Sequence, residues 1–238
     1  MVDIHSHIIP KVDDGAKEEK ETLLILKQAQ KAGFTDIICT PHYRQEYKKS
    51  QDEIKKVLEN IKADIENYNI RIHLGREVYI SEDILELLKD NKIGTLANSR
   101  YMLIELPFEN KIVNISQISY ILKENGIIPI LAHPERYDFV KKSPEVSVRK
   151  FIRNGWLIQC NYGSIIGQYG WKSKFVIKKL LKKGYVHFLA SDIHQPKTVY
   201  NKMPQIIEKL KKLVSKIKFD EITTINGLKI LKNEEIKF

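Results

Sequence analysis

Residues 126–133 of the chain, Gly-Ile-Ile-Pro-Ile-Leu-Ala-His, place a glycine before a short apolar run and a histidine directly after it. Glycine is a common helix-ending signal, and the apolar run predicts a buried strand. Apolar runs also follow Gly33, Gly155 and Gly184, each at the end of a predicted helix. This repeated alternation of helix and strand predicts an α/β fold with a parallel sheet.

The whole chain contains seven such strand signals, and a side chain that can bind metal lies at or just after most of their ends: His5, His42, Glu77, Glu105, His133 and Asp192. The predicted strands end near His5, Thr40, Glu77, Glu105, Ala132, Asn161 and Ala190. In a barrel of parallel strands the carboxyl ends surround one mouth, so these side chains are expected to converge there. An open, doubly wound sheet also fits the alternation, but no glycine-rich nucleotide loop follows any strand. We therefore predict one domain, residues 1–238, folded as a distorted (β/α)7 barrel.

The helices are predicted from apolar spacing. One is expected from about Lys17 to Lys31 and another from Asp52 to Tyr68. A short helix is expected after Ser81, a plausible N-cap, and a last amphipathic helix carries apolar residues from Met203 to Ile217. Trp156 and Trp171 are both interpreted as packing residues.

Composition indicates a globular protein of 238 residues, with 42% hydrophobic residues, 29% charged residues and a net charge of +10. No apolar run is long enough to span a bilayer, and Asp3 and His5 leave no room for a signal peptide. A cytoplasmic location is therefore expected. The lysine excess favours a solvated surface, with attraction of an anionic substrate, an acidic peptide or the inner membrane surface as the functional alternative. No nucleic-acid partner is expected, because the basic runs lack interleaved aromatic residues.

Cysteine chemistry is not supported by the sequence. Cys39 and Cys160 lie in apolar runs, and neither begins a Cys-x5-Arg phosphate loop. Both are interpreted as small core residues.

Histidines and carboxylates instead indicate a metal site. In Asp3-Ile4-His5-Ser6-His7, the alternation of a strand places His5 and His7 on one side. The segment Asp192-Ile193-His194 repeats this kind of pair. The mixture of imidazole and carboxylate suits manganese, iron or zinc, and this reasoning does not separate them.

Charge favours three divalent ions over two. Asp14, Glu77, Glu105 and Asp192 would supply four negative charges. Two ions would only neutralise these charges, whereas three would leave a positive surplus suited to a phosphate. A water molecule bridging such ions would lose a proton near neutral pH and attack phosphorus in line.

The order of the motifs resembles the polymerase and histidinol phosphatase (PHP) superfamily. The motifs are Asp-Ile-His-Ser-His, Val-Asp-Asp-Gly, Thr-Pro-His-Tyr, Glu-Val-Tyr, Leu-Ile-Glu-Leu-Pro, Ala-His-Pro-Glu-Arg and Ala-Ser-Asp-Ile-His, between residue 2 and about residue 235. More narrowly, the chain is similar to bacterial metal-dependent tyrosine-protein phosphatases of capsule and exopolysaccharide systems. The resemblance implies a distorted (β/α)7 barrel with three metal ions, usually manganese.

The resemblance also implies roles for particular residues. It assigns His5, His7, Glu77 and Asp192 to one ion, His42, Glu105 and His133 to a second, and Asp14 and His194 to a third, with Glu77 bridging. Asp14 is chosen over Asp13 by motif position, since spacing does not separate them. Arg136, Asp192 and His194 are expected to act in catalysis, with Arg136 on the phosphate.

One departure from the family pattern concerns the second phosphate contact. Relatives tend to carry a second arginine shortly after the last histidine, where this chain has Gln195-Pro196-Lys197. Lys197 is the candidate replacement. Tyr43 and Arg44 are further candidates for substrate binding, although solvated loop positions explain them equally well.

The expected function is hydrolysis of phosphotyrosine on a protein, with the tyrosine-rich tail of a bacterial tyrosine kinase as the expected partner. Such a kinase would recruit the protein to the inner membrane surface. The alternatives are a small-molecule phosphatase acting on a substrate such as histidinol phosphate, a phosphodiesterase or nuclease, and a non-catalytic module. His73 and His187 are interpreted as structural, and Glu135 as a supporting group rather than a ligand.

Overall fold

A computed structural model describes residues 1–81, 83–108 and 114–236. Nine strand segments are present in this part of the chain: β1 (Val2–Ser6), β2 (Asp36–Cys39), β3 (His42–Tyr43), β4 (Arg71–Leu74), β5 (Glu77–Tyr79), β6 (Tyr101–Glu105), β7 (Ile128–Leu131), β8 (Leu157–Asn161) and β9 (Phe188–Ala190). One sheet has the order β1-β2-β4 and the other β3-β5-β6-β7-β8-β9, and every pairing between these strands is parallel.

The seven predicted strands are all present, but two of them are interrupted. The strand ending near Thr40 breaks at Pro41 into β2 and β3, since proline has no N–H for the ladder. The strand ending at Glu77 breaks at Gly75 into β4 and β5. A Cβ atom at Gly75 would lie 2.9 Å from a Leu96 methyl group and 3.0 Å from an Ile38 methyl group, so close packing requires glycine there.

The sheet curls until its first and last strands meet. Ser6 forms a parallel bridge with Ile193. The His7 N–H donates to the Ile193 carbonyl at 2.9 Å, and the Asp192 N–H donates to the His5 carbonyl at 2.9 Å. The predicted distorted barrel is confirmed, and its closure lies at two of the predicted metal-binding motifs.

Helices cover the outside of this curled sheet. They are α1 (Glu19–Lys31), α2 (Gln51–Asn60), α3 (Lys62–Ile65), α4 (Ile84–Lys89), α5 (Ile115–Glu124), α6 (Asp138–Lys142), α7 (Pro144–Arg153), α8 (Tyr162–Ile166), α9 (Gly170–Lys182), α10 (Met203–Lys211), α11 (Lys216–Asp220) and α12 (Asn226–Leu231), with a π-helical turn at Glu221–Ile225. Within the described ranges, none of these helices is long and apolar enough to cross a membrane.

Three details of the predicted helices are wrong. The helix expected over 52–68 breaks at Ile61, whose φ of −105° lies outside the helical range. Asp83 rather than Ser81 occupies the cap position of α4. The last predicted helix ends at Lys211, and Ser215 starts a separate helix by accepting a hydrogen bond from the Lys218 N–H.

The core has an inner and an outer part. Tyr101 and Leu103 of β6 point inward with Leu157 of β8, whereas Met102 and Ile104 pack in the outer part. The period of two continues to the mouth, so Glu105 lies on the inward side of β6. Trp156 is fully buried as predicted, but Trp171 is 74% exposed, so its predicted packing role is wrong.

Candidate metal centre

All nine predicted metal ligands converge at the mouth of the barrel. Their ligand atoms lie within 4.8 Å of one another in overlapping groups: His7, Asp14, His42 and His194; His5, Glu77 and His133; His5, His7 and Asp192; and His42, Glu77 and Glu105. These residues come from most of the strand ends, which explains why the site is rich in charge although it is largely buried.

Glu77 lies at the middle of the cluster. Its Oε2 atom is 3.2 Å from His5 Nε2, 3.3 Å from His7 Nε2 and 2.9 Å from His42 Nδ1. Its Oε1 atom lies 2.8 Å from His133 Nε2, within hydrogen-bond distance. This central position agrees with the bridging role that the family resemblance implies.

Asp14 lies at the outer side of the cluster. Its Oδ1 atom is 3.5 Å from His42 Nε2 and 3.4 Å from His194 Nε2. The His194 ring stacks on that of His7 with 4.0 Å between centroids. The structure therefore brings Asp14, rather than Asp13, among the candidate ligand atoms.

Two candidate ligands have an unusual backbone. His133 has φ 33° and Asp192 has φ 51°, both in the left-handed region. Such residues cost on the order of 1–3 kcal/mol each and cluster at functional sites. The Asp192 N–H is held by the closing strand β1, so the barrel closure fixes the direction of this carboxylate.

A set of polar side chains orients the ligands from behind. Asp13 Oδ2 lies 2.7 Å from His7 Nδ1 and accepts from the His42 N–H at 2.9 Å. Gln159 Oε1 lies 3.0 Å from His5 Nδ1, and the Asn161 amide donates to Asp192 Oδ2 at 2.7 Å. Metal-binding histidines usually have such a partner on the second ring nitrogen.

Sequence reasoning missed the orienting roles of Asp13 and Gln159, and it gave Asn161 only a role in pocket shape. The signal for Asp13 was its place beside Asp14 in Val-Asp-Asp-Gly. Gln159 and Asn161 occupy alternate positions of β8, inward-facing like Leu157. Strand alternation thus could have suggested them.

Buried charges shift the pKa values of the cluster. Burial alone would lower the pKa of His5, but the carboxylates of Glu77 and Asp192 outweigh it and raise the pKa to about 9. Burial and repulsion by Glu77 raise the pKa of Glu105 to about 8. Burial and the charge of Arg136 lower the pKa of His133 to about 4.

The donor set fits divalent cations. Glu105 Oε2 and His133 Nδ1 are buried and have no hydrogen-bond partner among the described residues. The Nε2 atoms of His5 and His7 face each other at 3.1 Å. Imidazole nitrogens and carboxylate oxygens that converge at such short distances are suited to shared cations.

Arg136 provides a fixed positive charge at the edge of the cluster. Its Nη1 atom donates to Asp192 Oδ2 at 2.8 Å. The guanidinium carbon lies 5.0 Å from the centre of the Phe108 ring and 4.6 Å from that of Tyr169. A cavity of about 230 Å³ beside it is also lined by His194.

Arg44 is a second cation at the same mouth. Its Nη2 atom is 3.3 Å from Asp14 Oδ2, and its Nη1 atom is 3.9 Å from Glu105 Oε2. The charges of Arg44 and Arg136 both act on Glu105, lowering its pKa against the effect of burial.

The other two candidates for substrate binding lie differently. Lys197 is exposed, its backbone N–H donates to Gln28 at 2.8 Å, and it does not line the cavity beside Arg136. Tyr43 is half-buried, and its ring lies under the guanidinium of Arg76 at 5.2 Å.

The residues interpreted as structural lie outside the candidate ligand groups. His73 contacts Asp36 at 3.0 Å, and His187 Nδ1 accepts from the Ile158 N–H at 3.0 Å. Glu135 is buried and accepts from the Asn161 N–H at 2.8 Å and from the Ser164 hydroxyl at 2.7 Å, which supports the segment carrying Asn161. Cys39 and Cys160 are buried free thiols, and burial raises the pKa of each.

Comparison with known proteins identifies relatives that match most of this chain. The tyrosine-protein phosphatase CpsB of Streptococcus pneumoniae is 33% identical over 248 residues, covering 99% of this chain and 100% of that protein. The tyrosine-protein phosphatase YwqE of Bacillus subtilis is 30% identical over 201 residues, covering 83% of this chain and 79% of that protein.

Solved structures show the same fold. A chain from the crystal structures of Bacillus subtilis YwqE and Streptococcus pneumoniae CpsB, described as unique metal-dependent tyrosine phosphatases, superimposes with a TM-score of 0.91. It is 28% identical, and the match covers 100% of this chain and 96% of that chain.

The family model for capsular polysaccharide synthesis CpsB/CapC matches residues 1–232. This range contains every candidate ligand described above. The chain belongs to the CpsB/CapC family of capsular polysaccharide synthesis.

Proposed function

We propose that this chain is a metal-dependent protein-tyrosine phosphatase. The observation that carries the proposal is the convergence of nine imidazole and carboxylate ligands beside a clamped arginine. Relatives that match nearly the whole chain are named tyrosine-protein phosphatases, which supports the choice of reaction.

The cluster would hold three divalent ions, with manganese as the expected metal. The overlapping groups share His5, His7, His42 and Glu77, as neighbouring ions with common ligands would require. Four carboxylates lie in these groups, so three divalent ions leave a positive surplus for a phosphate. Bound ions of this kind supply an activated water nucleophile and offset the charge of the phosphate.

Asp192 is directed by its neighbours. Arg136 and Asn161 both donate to Oδ2, whereas Oδ1 lies 3.4 Å from His5 Nε2 and 3.5 Å from His7 Nε2. One oxygen is thus committed to the protein and the other to the ligand cluster. The two hydrogen bonds to Oδ2 therefore hold the carboxylate with Oδ1 facing the cluster.

Arg136 would bind the phosphate of the substrate. Two aromatic rings fix its plane, and the forked guanidinium still has donors beyond the one that Asp192 accepts. A preorganised charge of this kind stabilises a transferring phosphoryl group without reorganisation.

Arg44 is a better placed second phosphate contact than Lys197. Arg44 contacts the ligand cluster through Asp14, whereas Lys197 has a left-handed backbone and its N–H donates to Gln28 of α1. The arginine that this chain lacks after its last histidine would therefore be replaced by Arg44, the residue directly after β3, and not by Lys197.

The substrate would be a phosphotyrosine protein, with the tail of a bacterial tyrosine kinase in the cytoplasm as the expected partner. His194 and Arg44 are 29% and 28% exposed, so the outer side of the cluster is open to an approaching chain. A flexible protein tail can present a phosphotyrosine to such a mouth.

A substrate panel tests the proposal. The purified protein is loaded with manganese, iron or zinc and assayed with phosphotyrosine peptides, histidinol phosphate and an unmodified oligonucleotide. Phosphotyrosine hydrolysis is expected, with loss of activity in His5→Ala and Asp192→Ala and after chelation. Preferential turnover of histidinol phosphate, or cleavage of the oligonucleotide alone, would overturn it.

The second phosphate contact is tested by a matched pair of variants. Arg44→Ala is expected to lower kcat/KM by about 10–100-fold, because it removes a charge-assisted contact near the phosphate. Lys197→Ala removes one positive charge as well and is expected to leave kcat/KM within about twofold. Equal losses, or a larger loss in Lys197→Ala, would assign the contact to Lys197.

A further inference from the structure

The outer face of α9 exposes two large aromatic side chains among lysines. Trp171 is 74% exposed and Phe175 is 59% exposed. With Lys178 and Lys182 they form a stripe at helical spacing, since residues i, i+4, i+7 and i+11 share one helix face. Lys172 adjoins this stripe, with its ammonium 5.7 Å from the centre of the Trp171 ring. We call these five residues the α9 surface.

The fold does not require these aromatic residues. The opposite face of α9 supplies the packing, through Val176, Ile177, Leu180 and Leu181. Single exposed apolar residues are normal on a protein surface. Two adjacent aromatic residues on a helix that contains lysines but no acidic residue need another explanation.

The lysines of the α9 surface are available to a partner. Lys179 and Lys183, beside the stripe, pair with Glu145 at 3.1 and 3.5 Å. In the described part of the chain, no carboxylate lies within ion-pair distance of Lys172, Lys178 or Lys182. The partner should therefore carry negative charge.

The shape of the α9 surface favours a membrane over a peptide as the partner. A groove that receives a peptide would cover its aromatic walls, but Trp171 and Phe175 protrude from the helix. Protruding aromatic rings suit the headgroup level of a bilayer, and long lysine side chains reach anionic headgroups around them. We propose that the α9 surface binds an anionic lipid bilayer.

The position of α9 gives this contact a direction. The helix begins one residue after Tyr169, whose ring lies against the guanidinium of Arg136. The Trp171 end of α9 is therefore at the mouth of the barrel. Binding through this end would hold the metal centre close to the membrane surface.

Tryptophan fluorescence and vesicle sedimentation test the proposal directly. The chain has two tryptophans, and Trp156 is fully buried, so a change on binding reports on Trp171. Vesicles of phosphatidylcholine with phosphatidylglycerol should shift the emission to shorter wavelength and sediment the protein, and added salt should reverse both effects. Absence of binding, or equal binding to pure phosphatidylcholine, would overturn the proposal.

Paired variants show whether the named residues are responsible. Trp171→Ala with Phe175→Ala should weaken vesicle binding by about tenfold or more, whereas Tyr120→Ala, at a residue that is 65% exposed on α5, should not. Lys178→Glu with Lys182→Glu should abolish binding. Lys55→Glu with Lys56→Glu on α2 makes the same change in net charge and should retain most of it.

Hydrolysis of p-nitrophenyl phosphate without vesicles should be unchanged in all of these variants, so failure of vesicle binding leaves the proposed phosphatase function intact. Equal loss in the two lysine pairs would show that only net charge matters. If the aromatic variants instead lost hydrolysis of an acidic phosphopeptide without vesicles and kept vesicle binding, the surface would be a peptide site. Either result would contradict the membrane proposal.

Discussion

At the scale of single residues, two adjacent carboxylates have different tasks. Asp14 is partly exposed and faces the imidazoles of His42 and His194. The side chain of Asp13 is buried, and its Oδ2 atom lies 2.7 Å from His7 Nδ1. Burial alone would raise the pKa of Asp13, but the imidazole of His7 and hydrogen bonds from His42 and Gly15 outweigh it and lower the pKa. Asp13 therefore remains an anion that holds the ring of His7, a candidate ligand.

Replacing Asp13 with asparagine should weaken metal binding without removing a ligand. The His7 ring would lose its charged partner, and loss of such a partner typically costs 10–100-fold in metal affinity or activity, so we expect about that reduction for manganese. A competition titration with a fluorescent chelator measures it. Asp138→Asn, at an exposed carboxylate of α6, is the control. Unchanged affinity in Asp13→Asn would show that the contact is dispensable.

The convergence of the nine candidate metal ligands was predictable from sequence because these residues follow apolar runs or occupy a recognisable family motif. The partners Asp13, Gln159 and Asn161 were harder to predict, since their roles depend on the direction of each side chain. Gln159 lies far from His5 in sequence, and only the closed barrel brings them to 3.0 Å.

At the scale of elements, the order of strands and helices followed from periodicity, whereas their interruptions did not. The breaks at Pro41 and Gly75 depend on the backbone and on close packing across the sheet. The break of the 52–68 helix at Ile61 has no glycine or proline to indicate it. The apolar pattern continues through the break because Ile54 before it, Ile61 at it and Ile65 after it are all buried.

The loop after β1 should be intolerant of any side chain at Gly15. A Cβ atom there would lie 2.0 Å from the His7 carbonyl oxygen and 2.6 Å from His7 Cβ. Backbone atoms cannot swing aside, so Gly15→Ala must displace the loop that carries Asp13 and Asp14. We expect loss of about tenfold or more in metal affinity together with a lower Tm.

Gly94→Ala is the matched control for this prediction. The three atoms nearest to a Cβ there all belong to the end of the Gln51 side chain, the first at 2.6 Å, and that flexible side chain can move. Metal affinity should be unchanged in this variant. If Gly15→Ala behaved like Gly94→Ala in a thermal melt and a manganese titration, the close approach to His7 would not constrain the centre.

At the scale of the whole molecule, closure of the barrel gathers acidic groups that repel one another. Glu77 raises the pKa of Glu105 in this way, in addition to the effect of burial. The folded protein without metal thus disfavours the charged form of Glu105. Divalent ions reverse this balance, because they bind the folded state and stabilise it by mass action.

The pKa of Glu105, raised to about 8, gives the sign of a pH effect on stability. Between its usual value and that pKa, the folded metal-free protein keeps a proton that the unfolded chain releases. The free energy of unfolding should therefore fall as pH rises through this window, by up to about 1.4 kcal/mol per pH unit. Glu105→Gln cannot ionise, so this part of the pH dependence should disappear.

The same substitution should have opposite effects with and without metal. At pH 8 after chelation, Glu105→Gln should melt several degrees above the original chain, because a change of 1 kcal/mol shifts Tm by about 2–4 °C in a protein of this size. With saturating manganese it should melt below the original chain, since it has lost an anionic ligand. Glu59→Gln, at an exposed carboxylate of α2, should change neither melting temperature appreciably. Scanning fluorimetry at pH 6 and pH 8 measures the melting temperature with and without metal. If the metal-free Glu105→Gln protein melted at or below the original chain at pH 8, repulsion at Glu105 would not limit stability.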